Sequence, residues 1–240
     1  DFDTTSFGLD KFWYRFSLSE KLTAYFGPEI SQEDMLGVWP SLYKTDNILS
    51  FFNYAGAPGA YNKNKGGGLG LIWENENLNF SINYTSDNAS DPDPVFPFGG
   101  GMFTDGAGSN ATVQAAYSRD NWGMAVAYSS TASNTQGPGL NFGNSTPLAA
   151  MVQEIGKLNS VGISGWWDNK SKEFPSISLG FGMSNVDEEE CENSSRCNVY
   201  DSAEIFSWSA GMEWDNLFKD GNAGGFAFGQ PAHVTSIKRD

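Results

Sequence analysis

The sequence has no apolar run long enough to cross a membrane as a helix. Its best stretches, Phe51-Phe52 and Leu69-Gly70-Leu71-Ile72-Trp73, fall far short of the roughly 20 residues such a span needs. Helical spans are therefore excluded, but a β-barrel is not, because a barrel strand shows lipid only at every second residue. Basic residues are also scarce. Against 29 acidic residues there are 14 Lys and Arg, and the formal charge of −15 argues against a nucleic-acid partner, which would need clustered cations to displace counterions. Cations or neutral solutes are the expected company. His233 is the single histidine, and a Ser-His-Asp hydrolase would have to use it without a nucleophile elbow beside it. We read it as structural and expect no enzyme activity. One His and two Cys make no convincing zinc set either, and no cofactor or metal is expected. The two cysteines, Cys191 and Cys197, stand close together in a polar segment. They are expected to form a disulfide clip in an oxidising compartment.

What the chain does have is alternation. Phe12, Tyr14, Phe16 and Leu18 share one face of a segment whose other face carries Lys11, Trp13, Arg15 and Ser17. After Ser19-Glu20-Lys21 the pattern resumes with Leu22, Ala24 and Phe26, so the spacing predicts a hairpin with one apolar side. Gly66 to Trp73 and Leu78 to Thr85 form the next pair, joined by Glu74 to Asn77. A third pairs Ala111, Val113, Ala115 and Tyr117 with Trp122, Met124, Val126 and Tyr128. A fourth pairs Val161, Ile163 and Trp167 with Ile177, Leu179, Phe181 and Met183. A fifth sets Phe206 to Trp214 before Phe226 and Phe228. About ten strands of roughly 8 to 12 residues result, long enough to cross a bilayer core at a tilt.

Short links alternate with long ones. The long ones are 28–65, 86–110, 130–156 and 185–202, and this asymmetry fits a barrel with short turns at one rim and long loops at the other. Trp73, Tyr84, Tyr117, Trp122, Tyr128, Trp167 and Trp214 fall near strand ends, as interfacial girdles do. The opposite faces carry Gly, Ser, Thr and Asn, small enough to line a wet lumen. The expected fold is thus all-β, an antiparallel transmembrane β-barrel in an outer membrane, with residues 1–240 as one barrel domain. A soluble β-sandwich binding module is the alternative; an outer-membrane barrel enzyme is the second.

The glycines at 66–70 do not suit a phosphate loop, since Leu69, Leu71 and Trp73 continue as strand where a helix would be required. They suit a close-packed or bent wall. The 28–65 link is too aromatic for a merely solvated connection. It is expected to fold in part, as short helix, into the barrel and narrow it; a surface cap or subunit contact is the competing expectation. Lys11, Arg15, Tyr25, Glu33, Asp34, Lys44 and Asp46 are the candidate lining and constriction residues. The acidic run Asp187, Glu188, Glu189, Glu190 and Glu192 is either a solvated loop tip or a cation-attracting pore mouth.

The segment Phe12 to Pro28, FWYRFSLSEKLTAYFGP, resembles hairpins of cyanobacterial outer-membrane porins of the carbohydrate-selective, OprB-like family, some labelled iron-uptake porins. Tyr61 to Leu71 and Ala227-Phe228-Gly229-Gln230-Pro231 are similar to the same group. The resemblance implies a larger barrel of about 16 strands, a homotrimer, and a preceding surface-layer-homology domain. It also implies passive diffusion of small hydrophilic solutes, whether sugars, inorganic ions or iron, with outer-membrane lipid around the wall. On that pattern the chain is expected to be an incomplete piece of the pore, lacking that domain and its terminal strands.

Overall fold

The computed structural model describes residues 10–43, 48–93, 99–132, 144–153, 156–169, 174–188 and 201–238. Among these residues ten strands are present: β1 (Phe12–Ser19), β2 (Leu22–Ser31), β3 (Lys65–Asn75), β4 (Leu78–Ser86), β5 (Ser109–Arg119), β6 (Trp122–Thr131), β7 (Gly156–Trp167), β8 (Ser176–Glu188), β9 (Ser202–Asp215) and β10 (Ala223–Lys238). They form a single sheet in chain order, each strand hydrogen-bonded to the next, and every pair is antiparallel. The all-β antiparallel expectation holds. The sheet is not closed, however: β1 and β10 are its two edges and do not pair with one another. Nor do the described residues form the two facing sheets of a sandwich.

Local chemistry explains the turns. β3 and β4 are joined by Glu76-Asn77, and β5 and β6 by Asp120-Asn121. Two-residue hairpin loops need positive φ to match the twist of the flanking strands, and Glu76 (47°) and Asp120 (29°) supply it. The last two strands are longer than expected, 14 and 16 residues, because β10 continues through Pro231 and His233. The register shifts between Gln230 and His233, which accommodates a proline that cannot donate to the ladder. His233 packs edge-on against Phe206, ring centroids 6.2 Å apart, and its Nδ1 lies 3.2 Å from the Pro231 carbonyl.

The sheet buries its polar face and exposes its apolar one. On β4, Phe80 and Ile82 are 47% and 53% exposed, while Ser81 and Asn83 between them are each 3% exposed. The same inversion runs through β5, β6 and β8, with Val113, Met124, Val126, Leu179 and Met183 outward and Gln114, Ala125, Ala127, Ser178 and Ser184 inward. Described parts of two long links pack on the polar face. Residues 32–43 and 48–64 lie across it, with a 3₁₀ turn at Gln32–Met35 and a short helix α1 (Ser50–Asn53), and Tyr54, Ala57, Ala60 and Tyr61 bury against Ala127 of β6. A second helix, α2 (Pro147–Gln153), brings Ala149 and Val152 against Leu158, Val186, Ala203, Ile205 and Ala232 at the long-link end.

Candidate functional site: the segment folded across the polar face

The inward segment leaves the sheet and rejoins it at one narrow neck. Ile30 and Ser31 pair with Gly66 and Lys65, and the Gln32 amide donates to the Asn64 carbonyl at 2.9 Å. The Lys63 amide donates to Gln32 Oε1 at 3.0 Å. Asp34 does double duty: one carboxylate oxygen accepts the Ser31 amide at 3.0 Å, the other accepts Lys11 Nζ at 2.8 Å.

Between outgoing and returning limbs the segment hydrogen-bonds to β4, β5, β6 and β9. Gln32 Nε2 donates to Thr112 Oγ1 of β5 at 2.7 Å and to the Ala60 carbonyl at 2.9 Å. Ser129 of β6 donates to the same carbonyl at 2.7 Å. Asn62 donates to Asn110 Oδ1 and Thr131 Oγ1, and Thr85 of β4 donates to Asn64 Oδ1. Gln114 reaches the Val38 carbonyl at 3.0 Å. Tyr43 donates to the Met212 carbonyl of β9 at 3.0 Å. Burial first, and the Glu213 carboxylate second, push the Tyr43 phenol up to about 12, the Met212 bond opposing them.

The small inner residues have a clear purpose here. A β-carbon on Gly162 would stand 2.9 Å from Ala60 Cβ, and one on Gly70 would stand 2.8 Å from Met35 Sδ. This face of the sheet carries small residues where residues of the 32–64 link lie against it. Several inner polar atoms have no protein partner, among them Asn79 Oδ1, Ser81 Oγ, both side-chain polar atoms of Asn83 and Gln114 Oε1. Buried groups of this kind are normally satisfied by ordered water.

Charge concentrates at the neck. Lys11 Nζ lies 3.2 Å from Glu33 Oε1 and 2.8 Å from Asp34 Oδ1, and Lys63 Nζ lies 3.1 Å from Glu33 Oε2. Lys63 also sits 5.2 Å from the ring centroids of both Trp39 and Tyr54, close enough for cation–π attraction. Burial works against ionisation of Lys11, but its bonds to Asp34 and Glu33 outweigh it and its pKa rises. Burial likewise works against ionised Glu33, and bonds to Lys63 and Lys11 prevail, so its pKa falls. Both groups therefore stay charged at neutral pH.

Of the candidate lining residues, the structure brings Lys11, Glu33 and Asp34 together. Arg15 and Tyr25 face each other across β1 and β2, with the Trp13 ring tilted against that of Tyr25, centroids 5.8 Å apart. They stand apart from the cluster, and Arg15 has no ion-pair partner among the described residues. Lys63 was not anticipated. Asp187 is exposed near the end of β8, which Glu188 closes. Lys44, Asp46, Glu189, Glu190, Glu192 and the Cys191–Cys197 pair lie outside the described residues.

With that geometry in place, comparison with known proteins adds little chemistry. No family model matches the chain, and no solved structure matches it. It is similar to an uncharacterized protein, sll0772, of Synechocystis sp. (strain PCC 6803), at 24% identity over 243 residues. The match covers 93% of this chain and 42% of the relative, so the chain spans less than half of that protein's length.

Proposed function

We propose that this chain forms the wall and inner constriction of an outer-membrane pore that passes small hydrophilic solutes and ions, without catalysis or energy coupling. One observation carries the reading: the sheet turns its apolar side out and its polar side in, with an inward segment hydrogen-bonded across the polar side. In water, contiguous exposed apolar surface of more than a few hundred Å² is rare. In a bilayer it is the expected outside of a barrel wall. Aromatic pairs stand at both ends of the strands, Trp73–Phe80 and Tyr117–Trp122 toward the short turns and Tyr84–Phe103 toward the long links, where an interfacial belt would lie.

An open sheet edge is not tolerated in hydrocarbon, so further strands would close β1 and β10 into a complete barrel. The resemblance to OprB-like porins supports that closure and a trimeric assembly. The inward segment would set the pore's calibre, and the Lys11–Glu33–Asp34–Lys63 cluster its charge at the neck. None of the described helices is long and apolar enough to cross a membrane, so a membrane role would rest on the strands alone.

The test is reconstitution of the detergent-purified full-length protein into a planar bilayer. Discrete conductance steps are expected. Folded protein that stays soluble without detergent and opens no channels overturns the reading.

A further inference from the structure

Gln114 holds the segment to the sheet at Val38, and Val38 also borders a cavity at the short-turn end. This cavity of about 460 Å³ opens between residues 37–42 and the hairpin turns, within the roughly 300–1,000 Å³ common for small-molecule sites. Its shape is built by the fold. Trp166 of β7 lies over Gly123 of β6 so closely that a β-carbon on Gly123 would stand 2.7 Å from the indole Cε2. Glycine at 123 lets the indole lie flat against the wall beside the cavity, and Trp39 of the inward segment lines the cavity with it.

The rim carries Glu76, Asp120 and Asp168 against one guanidinium, Arg119. Arg119 Nε is 3.9 Å from Asp120, and both side chains are largely exposed, so that pair contributes little and the rim stays acidic. No group of three or more His, Cys, Asp or Glu among the described residues could hold a metal ion. The carboxylates are too dispersed to converge on a point charge. Aromatic faces with dispersed carboxylates suit a cation that also has an apolar body, since an indole attracts an alkylammonium through its quadrupole and buries its methylenes. Trp39 already serves as such a platform for Lys63.

We propose that this cavity binds a small organic cation, a diamine or comparable alkylammonium compound, held between the Trp39 and Trp166 indoles by the Glu76 and Asp168 carboxylates. The proposal rests on the pore reading only in taking the polar side as open to water. It gives that polar side a preferred solute class.

The probe is 1,4-diaminobutane dihydrochloride, titrated calorimetrically into full-length protein in detergent micelles at constant ionic strength. A saturable heat is expected that sodium chloride does not reproduce. The paired substitutions Glu76→Gln and Asp168→Asn should weaken it by roughly tenfold, each partly exposed ion pair contributing a few-fold. The substituted amide retains an oxygen to accept the Ser176 hydroxyl, which now lies 3.2 Å from Asp168 Oδ1. Trp166→Leu should weaken binding independently. No saturable heat from protein with a native near-ultraviolet dichroism spectrum overturns the proposal, as does unchanged affinity in the paired variant. Saturable binding of D-glucose, equal in both proteins and without diamine binding, also overturns it and assigns the cavity to neutral solutes. Because binding is read in micelles and transport in bilayers, failure of one measurement leaves the other intact.

Discussion

Gly182 of β8 faces Ala57 of the inward segment so closely that a β-carbon on Gly182 would stand 2.9 Å from the Ala57 α-carbon. Gly162 makes the equivalent approach from β7, at 3.0 Å from Ala57 Cβ. The segment and two strands are therefore fitted to one another without slack.

Gly182→Val should lift the segment from the wall. Overpacking of this kind costs about 1–3 kcal/mol, so the thermal midpoint should fall. In bilayers the single-channel conductance should change from the parent value. Identical conductance together with a clear loss of stability would show that the segment does not control flow.

The neck should respond to pH at both extremes. Glu33, whose pKa is lowered from about 4.5 in the folded protein, contributes stability that is present above that value and lost as pH falls through the folded one. Lys11, raised from 10.5, contributes stability that is present below that value and lost as pH rises through its folded pKa. Both groups are partly exposed, so each effect is about 1 kcal/mol or less. Limited proteolysis within residues 36–60 should accelerate below about pH 4.5 and above about 10.5. Glu33→Gln should flatten the acid limb; an unaltered acid limb refutes this assignment.

Ile82 stands on the outer face between Leu71 and Val113. If that face meets lipid, Ile82→Lys should cost about 2–4 kcal/mol near the bilayer midplane and reduce membrane insertion. If the face meets water, the substitution should be almost silent. Urea unfolding in lipid vesicles separates the two outcomes.

Gln32 is fully buried and donates to both Thr112 and the Ala60 carbonyl. Gln32→Leu keeps the side chain's approximate volume but leaves the Lys63 amide without its acceptor. The expected loss is about 1–3 kcal/mol, measured by chemical denaturation, with the segment loosening before the sheet.

The strands were legible because their outward faces alternate without interruption: Leu78, Phe80, Ile82 and Tyr84 predict Leu78 to Thr85, and β4 runs Leu78–Ser86. The aromatic content of the 28–65 link marked it as more than a solvated connection but left a fold into a lumen and a surface cap both open; its described residues pack on the polar face of the sheet. Lys63 was not, because its partner Glu33 lies 30 residues away and no local pattern joins them. Helix α2 was missed for a different reason. Its signal is the apolar inner register of Leu158, Val186 and Ile205, which interrupts an otherwise polar face and marks where something apolar must land. Alternation specifies which way residues face and not whether the first strand meets the last; the expectation of an incomplete piece came instead from setting about ten strands against the larger barrel that the resemblance implies.

The neck at Ser31 and Lys65 has a consequence for how such a protein changes. Because the segment departs and returns through adjacent, paired residues, residues between them can be lengthened, shortened or replaced without shifting the register of a single strand. Sheet and covering segment are then separately editable, and under the proposed pore function one scaffold could be kept while the opening is retailored to a different solute.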